Sequence, residues 1–409
     1  MGRSLLVAVL LVGCGVGHDD DPTGTGSGSD MTMPPPGATP NVSMTVMFGA
    51  IPQPNVPVIF LTNEGADMGA VMTDANGVAA GSLPLGGSVS LVFPGAPATV
   101  YTYAGVKPND KLTFVGPSAA TTPTTVTIMV PAAPSGGQVS ITTPCGGTIQ
   151  GDAPAITVDL VGCGTTTDIY VSDGVTAGFL KRVTVAPTID LSAETYHDAV
   201  TTTLSITGLP EDNLDDSIGK RLETDLLRPA FSVDATAAID TSDATADVNV
   251  PDVPGIMQLV VAVCEVNSVT TVAARAAYTA DPTTIDVSDA LLPAVTDAQL
   301  ASGSVMWTED GMGSTADTSV VTMHTPAVTH LIAAAHHDSS VAIPELPAPY
   351  NQYNLASMDI PTIDVELLKA TGGYDAIRAN IFNGDPTELA PMDGTISVMV
   401  ALAPDPNAN

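Results

Sequence analysis

A chain of 409 residues is longer than one ordinary domain, and its length alone implies about two to four. The hydrophobic fraction of 44% is ample for real cores, while 44 acidic against 11 basic side chains leave a net charge of −33. That balance excludes nucleic acid and anionic lipid surfaces as natural partners, because phosphate binding needs clustered Lys and Arg.

The amino terminus sets the expected address. Arg3 is followed by the unbroken apolar run Leu5 to Val12, a basic n-region and an h-region far too short to span a bilayer. The stretch Leu11-Val12-Gly13-Cys14 resembles the lipobox of bacterial lipoproteins. That resemblance implies cleavage after residue 13, lipidation of Cys14 and a membrane partner reached through the lipid. Gly15 in place of Asp implies, by the enterobacterial sorting rule, the outer membrane, facing either the periplasm or the cell surface. The competing reading is an ordinary secretory signal whose h-region happens to hold a cysteine. Later in the chain no apolar run approaches the ~18 residues of a membrane helix.

Residues 14–41 carry Asp19-Asp20-Asp21, a Gly/Ser/Thr run and Pro34-Pro35-Pro36 with few aliphatic side chains, so they read as a disordered tether with a reach of roughly 25–30 Å. Beyond it the pattern is short, alternating and rich in Val, Thr and Ile, cut by Gly, Pro, Asn and Asp, as in Ser43 to Phe48, Thr125 to Val130 and Ile156 to Val161. The expected fold class is all-β, with tandem β-sandwich units at 42–131, 132–230, 231–326 and 327–409, the last two sharing one domain as an alternative.

In the first unit, strand-like runs surround the turn Thr73-Asp74-Ala75-Asn76-Gly77. This resembles the carboxypeptidase regulatory-like (transthyretin-like) and bacterial Ig-like modules, in which a T-D-x-x-G turn links two strands. The resemblance implies a spacer or binding module without catalytic residues. In the second unit Cys145 and Cys163 each lie beside glycine, and an extracytoplasmic address permits a disulfide between them, worth about 3 kcal/mol by loop entropy. Cys264 ends the run Leu259 to Val263 and reads as a buried strand residue, with an intermolecular disulfide as the sharper alternative. Leu214, Ile218, Leu222 and Leu226, with Asn213 as a cap and Pro229 as a stop, predict one short helix over 213–227. Pro187-Thr188-Ile189-Asp190, Pro282-Thr283-Thr284-Ile285-Asp286 and Pro361-Thr362-Ile363-Asp364 suggest an internal duplication of Ig size.

Candidate chemistry is sparse. His324, His330, His336, His337 and Asp338 are the one constellation with metal-ligand or hydrolase potential, but in a single strand His330 and His336 would lie about 20 Å apart. His197 has no visible partner. The acidic loops around Asp234 to Asp247 and Glu309 to Asp317 lack the Asp-x-Asp-x-Asp-Gly pattern of a calcium loop and read as solvated turns. Trp307, the single tryptophan, reads as core. No nucleophile elbow, His-Glu-x-x-His, phosphate loop or Cys-x-x-Cys occurs. The expected protein is therefore a non-enzymatic, lipid-anchored envelope protein with a structural, adhesive or partner-binding role and no cofactor. The alternatives are a small-molecule or carbohydrate binding lipoprotein, which the 4% aromatic content disfavours, and a metal-dependent hydrolase using His324 to His337.

Overall fold

The computed structural model describes residues 40–49, 51–116, 123–131, 138–161, 163, 165–207, 215–223, 232–239, 245–251, 257–266, 270–277, 283–286, 292–310, 315–355, 361–383 and 396–402. The lipobox and residues 14–39 of the expected tether lie outside them. The described chain is all-β, with a single short α-helix.

The first unit comprises β1 (Val42–Phe48), β2 (Ile51–Pro52), β3 (Pro57–Leu61), β4 (Asp67–Met72), β5 (Val78–Gly81), β6 (Gly87–Phe93), β7 (Ala98–Val106) and β8 (Lys111–Gly116). β1 buries Val42, Met44 and Val46 and leaves the intervening residues half-exposed, the period-2 pattern of a strand with one face on a core. The turn from β4 into β5 is built by its own side chains. Asp74 Oδ1 accepts the N–H groups of Asn76 and Val78, both at 2.9 Å. Thr73 Oγ1 donates to the Gln53 carbonyl at 2.6 Å and accepts the Val56 N–H at 2.9 Å. Gly77 sits at φ +72°, where a Cβ would come within 2.4 Å of the Val46 carbonyl oxygen, so only glycine fits.

The second unit comprises β9 (Thr124–Met129), β10 (Val139–Thr143), β11 (Gly147–Gly151), β12 (Ala155–Leu160), β13 (Thr166–Ser172), β14 (Thr176–Thr184) and β15 (Thr188–Asp190). The sheet β12-β9-β15 faces β11-β10-β13-β14 across a core that includes Val126, Ile128, Ile141, Ile156 and Ile169. Cys145 and Cys163 form the expected disulfide, with Cα atoms 5.4 Å apart.

The third unit comprises β16 (His197–Thr207), β17 (Asp215–Glu223), β18 (Ser232–Ile239), β19 (Thr245–Pro251), β20 (Met257–Val266), β21 (Thr270–Ala277) and β22 (Thr283–Asp286). Here the helix expected over 213–227 is corrected: Asp215–Glu223 is a strand, paired antiparallel with β18 on one side and β20 on the other. A spacing of four residues is also a multiple of two, so Ile218 and Leu222 share a strand face as readily as a helix face, and pairing on both sides decides between them. Cys264 falls inside β20, opposite Val272.

The last unit comprises β23 (Ala294–Ala301), β24 (Ser304–Asp310), β25 (Thr318–His324), β26 (Val328–Ala335), β27 (Ser340–Ala342), β28 (Thr362–Ala370), the helix α1 (Gly373–Ile377) and β29 (Ile396–Leu402). Its strands do not form a separate sandwich. β26 pairs parallel with β7 of the first unit, from Val328↔Ala98 to Ala333↔Tyr103, and β29 pairs with both β28 and β21. The result is one twelve-stranded sheet, β18-β17-β20-β21-β29-β28-β25-β26-β7-β6-β3-β4.

Around β25, β26 and β28 that sheet is covered on both faces. Val320, Ala333 and Leu368 join Tyr103 and the first unit's core, whereas Val321, Ile332, Val365 and Leu367 pack with Val305 and Trp307 from the β23-β24-β27 sheet. Consecutive buried residues such as Val320-Val321 and Leu367-Leu368 follow from this two-sided burial.

Each of the first three units closes in the same way, its first strand running parallel to its last: β1 with β8, β9 with β15, and β16 with β22. Two of the three Pro-Thr-Ile-Asp copies form the closing strands β15 and β22, so they occupy equivalent places. The third opens β28, which runs antiparallel to β25 and β29 and is not equivalent. The unit borders also differ from the expected ones. β9 belongs with β12 and β15, so the first border falls between Gly116 and Thr124 rather than at 131. β16 pairs with β19 and β22 across the expected border at 230, and β25 pairs with β26 and β28 across that at 326.

Candidate functional site

The histidines predicted as a cluster are held apart by strand register. His330 lies opposite Met323 and His324 opposite Thr329, so the two rings point to opposite faces of the same hairpin. His324 Nδ1 is 2.7 Å from Thr329 Oγ1 at the surface. His330 is buried, and its Nε2–H donates to the Tyr353 carbonyl at 2.8 Å. Burial lowers its pKa below the ordinary histidine value, partly offset by that hydrogen bond. His337 pairs with Asp338 at 3.2 Å in the exposed turn after β26. Among the described residues no group of three His, Cys, Asp or Glu side chains could hold a metal ion.

His336 is the exception, because it does find hydroxyl and carboxylate partners. Its Nε2 is 3.3 Å from Glu309 Oε1 and its Nδ1 is 2.8 Å from Ser319 Oγ. With Nε2–H given to Glu309, Nδ1 accepts the Ser319 hydroxyl, an order of groups shared with a hydrolase triad. Ser319, however, has no exposed surface; it sits within β25 between β26 and β28, and no substrate carbonyl can reach its Oγ in this arrangement. Glu309 Oε1 also accepts Trp307 Nε1–H and the Ser339 hydroxyl, both at 2.8 Å. The network fixes the β23-β24-β27 sheet against β25 and accounts for the buried Trp307, which is core as expected.

The acidic loops are likewise occupied by structural contacts. Asp247 accepts the Thr203 hydroxyl at 2.7 Å, and Asp317 accepts the Ala370 N–H at 3.1 Å. Residues 240–244 and 311–314 lie outside the described residues. His197 opens β16 opposite Ala177.

A charged cluster that the sequence pattern did not single out lies where α1 meets the first unit. Arg378 is 4% exposed; its Nε donates to Asp110 Oδ2 at 2.9 Å, Nη2 reaches the same oxygen at 2.7 Å, and Nη1 pairs with Asp375. Lys107 also pairs with Asp375, and that hydrogen bond, with Arg378, holds the Asp375 carboxyl below the usual carboxylate range. The Arg378 guanidinium stacks 5.3 Å from the Tyr374 ring centroid. The buried Tyr374 hydroxyl donates between the Ala104 and Ala333 carbonyls, at 2.8 and 2.9 Å, bridging β7 and β26; burial raises its pKa well above the ordinary tyrosine value. Phe382 packs edge-on against Tyr101 and Tyr103, and Asn383 Oδ1 accepts the Val115 N–H at 2.7 Å. Residues 373–383 thus complete the core of a unit that begins more than 250 residues earlier. The signal available in sequence was Tyr374, Ile377 and Ile381, spaced by three and four directly after Gly372-Gly373.

Compared with known proteins, the chain matches no family and no curated protein sequence. Solved structures with some likeness include the Bacillus anthracis TIE protein, 13% identical over 60% of this chain and 50% of that one, with a TM-score of 0.15. A Streptococcal ancillary pilin is 7% identical over 60% of this chain and 98% of that one, with a TM-score of 0.16. The chain therefore spans half the length of the first. At these scores neither carries an argument, and the all-β assignment rests on the strands themselves.

Proposed function

We propose that this is a lipid-anchored protein of the bacterial cell envelope, a non-enzymatic scaffold with a structural or adhesive role. The observation that carries the reading is Leu11-Val12-Gly13-Cys14 at the end of an uncharged apolar run, followed by an acidic, Gly- and Pro-rich tether. Two features support it. The His336 network, which comes nearest to a catalytic arrangement, spends its hydrogen bonds on joining two sheets around a sealed serine. The twelve-stranded sheet joins strands of the first, third and last units rather than leaving them free to close around a ligand. The strongly acidic surface keeps such a scaffold dispersed and away from anionic lipid headgroups, while the lipid on Cys14 supplies the attachment. The outer membrane is the proposed location.

The test is cell fractionation of the parent and of Cys14→Ala. Release of the variant from the membrane fraction, with the parent retained, is expected. A variant that stays with the membrane would contradict the anchor.

A further inference from the structure

The ends of the sheets differ in how they are defended against pairing with another chain. Among the described residues, the end strands β4, β12, β15, β18, β19 and β23 each carry an aspartate, and β2 carries Pro52. Charge and proline on an edge are the common safeguards against edge-to-edge association. β11 has neither. Among the described residues its five, Gly147-Thr148-Ile149-Gln150-Gly151, pair only with β10, and the first four are exposed. The end strands β5 and β27 are also uncharged, but they are shorter, four and three residues, and partly buried.

Three further observations bear on what would cover β11. Ile149 stands opposite Ile141, which is fully buried in the second unit's core, so Ile149 lies at the open margin of that core with 36% of its surface exposed. The turn that delivers β11 begins at Cys145, bonded to Cys163, so the edge is held in place before any partner arrives. The sequence is also suited to itself: pairing two copies antiparallel about Ile149 sets Ile149 opposite Ile149 and Thr148 opposite Gln150. The flanking Asp152 side chains then sit at opposite ends of the ladder, roughly 20 Å apart. In a chain of net charge −33, this is a stretch where two copies meet without like charges in register.

We propose that β11 is a self-association edge, through which two copies of this chain pair antiparallel around a two-fold axis at Ile149. The contact is isologous, so it closes as a dimer rather than continuing into a fibre. It goes beyond the envelope-scaffold reading and does not depend on the lipid anchor.

The experiment uses the full-length Cys14→Ala chain, so that anchoring plays no part. Sedimentation velocity at about 0.15 M salt, where the Debye length is near 8 Å, is combined with amide hydrogen exchange at low and high protein concentration. A dimer is expected, with concentration-dependent protection confined to the 147–151 segment, and it strengthens as salt screens the overall repulsion. Ile149→Lys, at a partly exposed position, is expected to abolish both dimer and concentration-dependent protection while leaving the exchange protection of β9 and β13 in the second unit's core unchanged. A chain that is monomeric throughout, a dimer that persists in Ile149→Lys, protection that maps elsewhere, or protection that needs an added extended peptide would each overturn the proposal.

Discussion

Replacing Arg378 by Met tests how the two ends of the chain depend on each other. The substitution keeps the aliphatic packing but removes a guanidinium that is 4% exposed, and it leaves the Asp110 carboxylate with the Lys107 N–H at 2.7 Å as its remaining partner there. Removing one member of a buried pair costs about 3–5 kcal/mol, mostly through the charge left behind. The Asp375 arm adds little, because that side chain is half-exposed and keeps Lys107. The low end, about 3 kcal/mol, is expected because Asp110 is itself partly exposed. With a urea slope of about 3 kcal/mol/M for a large cooperative unit, the midpoint falls by about 1 M. Two probes should move together: Trp307 fluorescence, which reports on the last unit, and hydrogen exchange in β1 and β8, which reports on the first. Both draw on the sheet joined at β26 and β7. If only one probe moves, the first and last units unfold independently and the reasoning from a shared core is wrong. Arg378→Met combined with Asp110→Asn should recover part of the loss, since the orphaned charge is then gone.

Other consequences are smaller in scope. Gly77→Ala should destabilise by at least about 1–2 kcal/mol, the cost of a left-handed non-glycine residue, plus the clash with the Val46 carbonyl; thermal melting checks it, and a neutral result would mean the turn can relax. The double variant Cys145→Ser, Cys163→Ser should lose about 3 kcal/mol of stability, measured by urea unfolding against the oxidised parent. Because burial holds the folded His330 pKa below its unfolded value, the neutral form contributes stability that is present above about pH 6.5 and is lost as pH falls and the unfolded chain takes up the proton. His330→Phe should flatten the stability difference between pH 7 and pH 5; an unchanged slope would assign that dependence to other groups.

The local structure was largely legible from residues, and the long-range structure was not. Alternation of Val, Ile and Thr located strands such as β1, β9 and β12, and the glycine-flanked Cys145 and Cys163 proved to be partners. The Asp-x-x-Gly turn could be recognised because the hydrogen bonds of Asp74 to Asn76 and Val78 are made within a few residues. β17 carries a helix-like pattern because Leu214, Ile218, Leu222 and Leu226 repeat every four residues, a spacing that does not separate period 2 from period 3.6. Pairing of residues 98–103 with residues 328–333 has no local signal at all. Its trace was compositional: consecutive apolar residues in β25, β26 and β28 belong to a sheet buried on both faces, and they can be read that way once the register is known. The histidines misled for the same reason. Their proximity in sequence suggested one site, whereas alternation along the strands sends His324 and His330 to opposite faces and leaves His336 to a carboxylate from another sheet.

The anchor is the claim on which the functional account turns, and the mature amino terminus measures it most directly. Mass spectrometry of the N-terminal peptide from membrane-extracted protein should show a chain beginning at Cys14 and carrying the mass of a thioether-linked diacylglyceryl group. A mature chain that begins elsewhere, or an unmodified Cys14 in protein that is nonetheless held at the membrane, would contradict it.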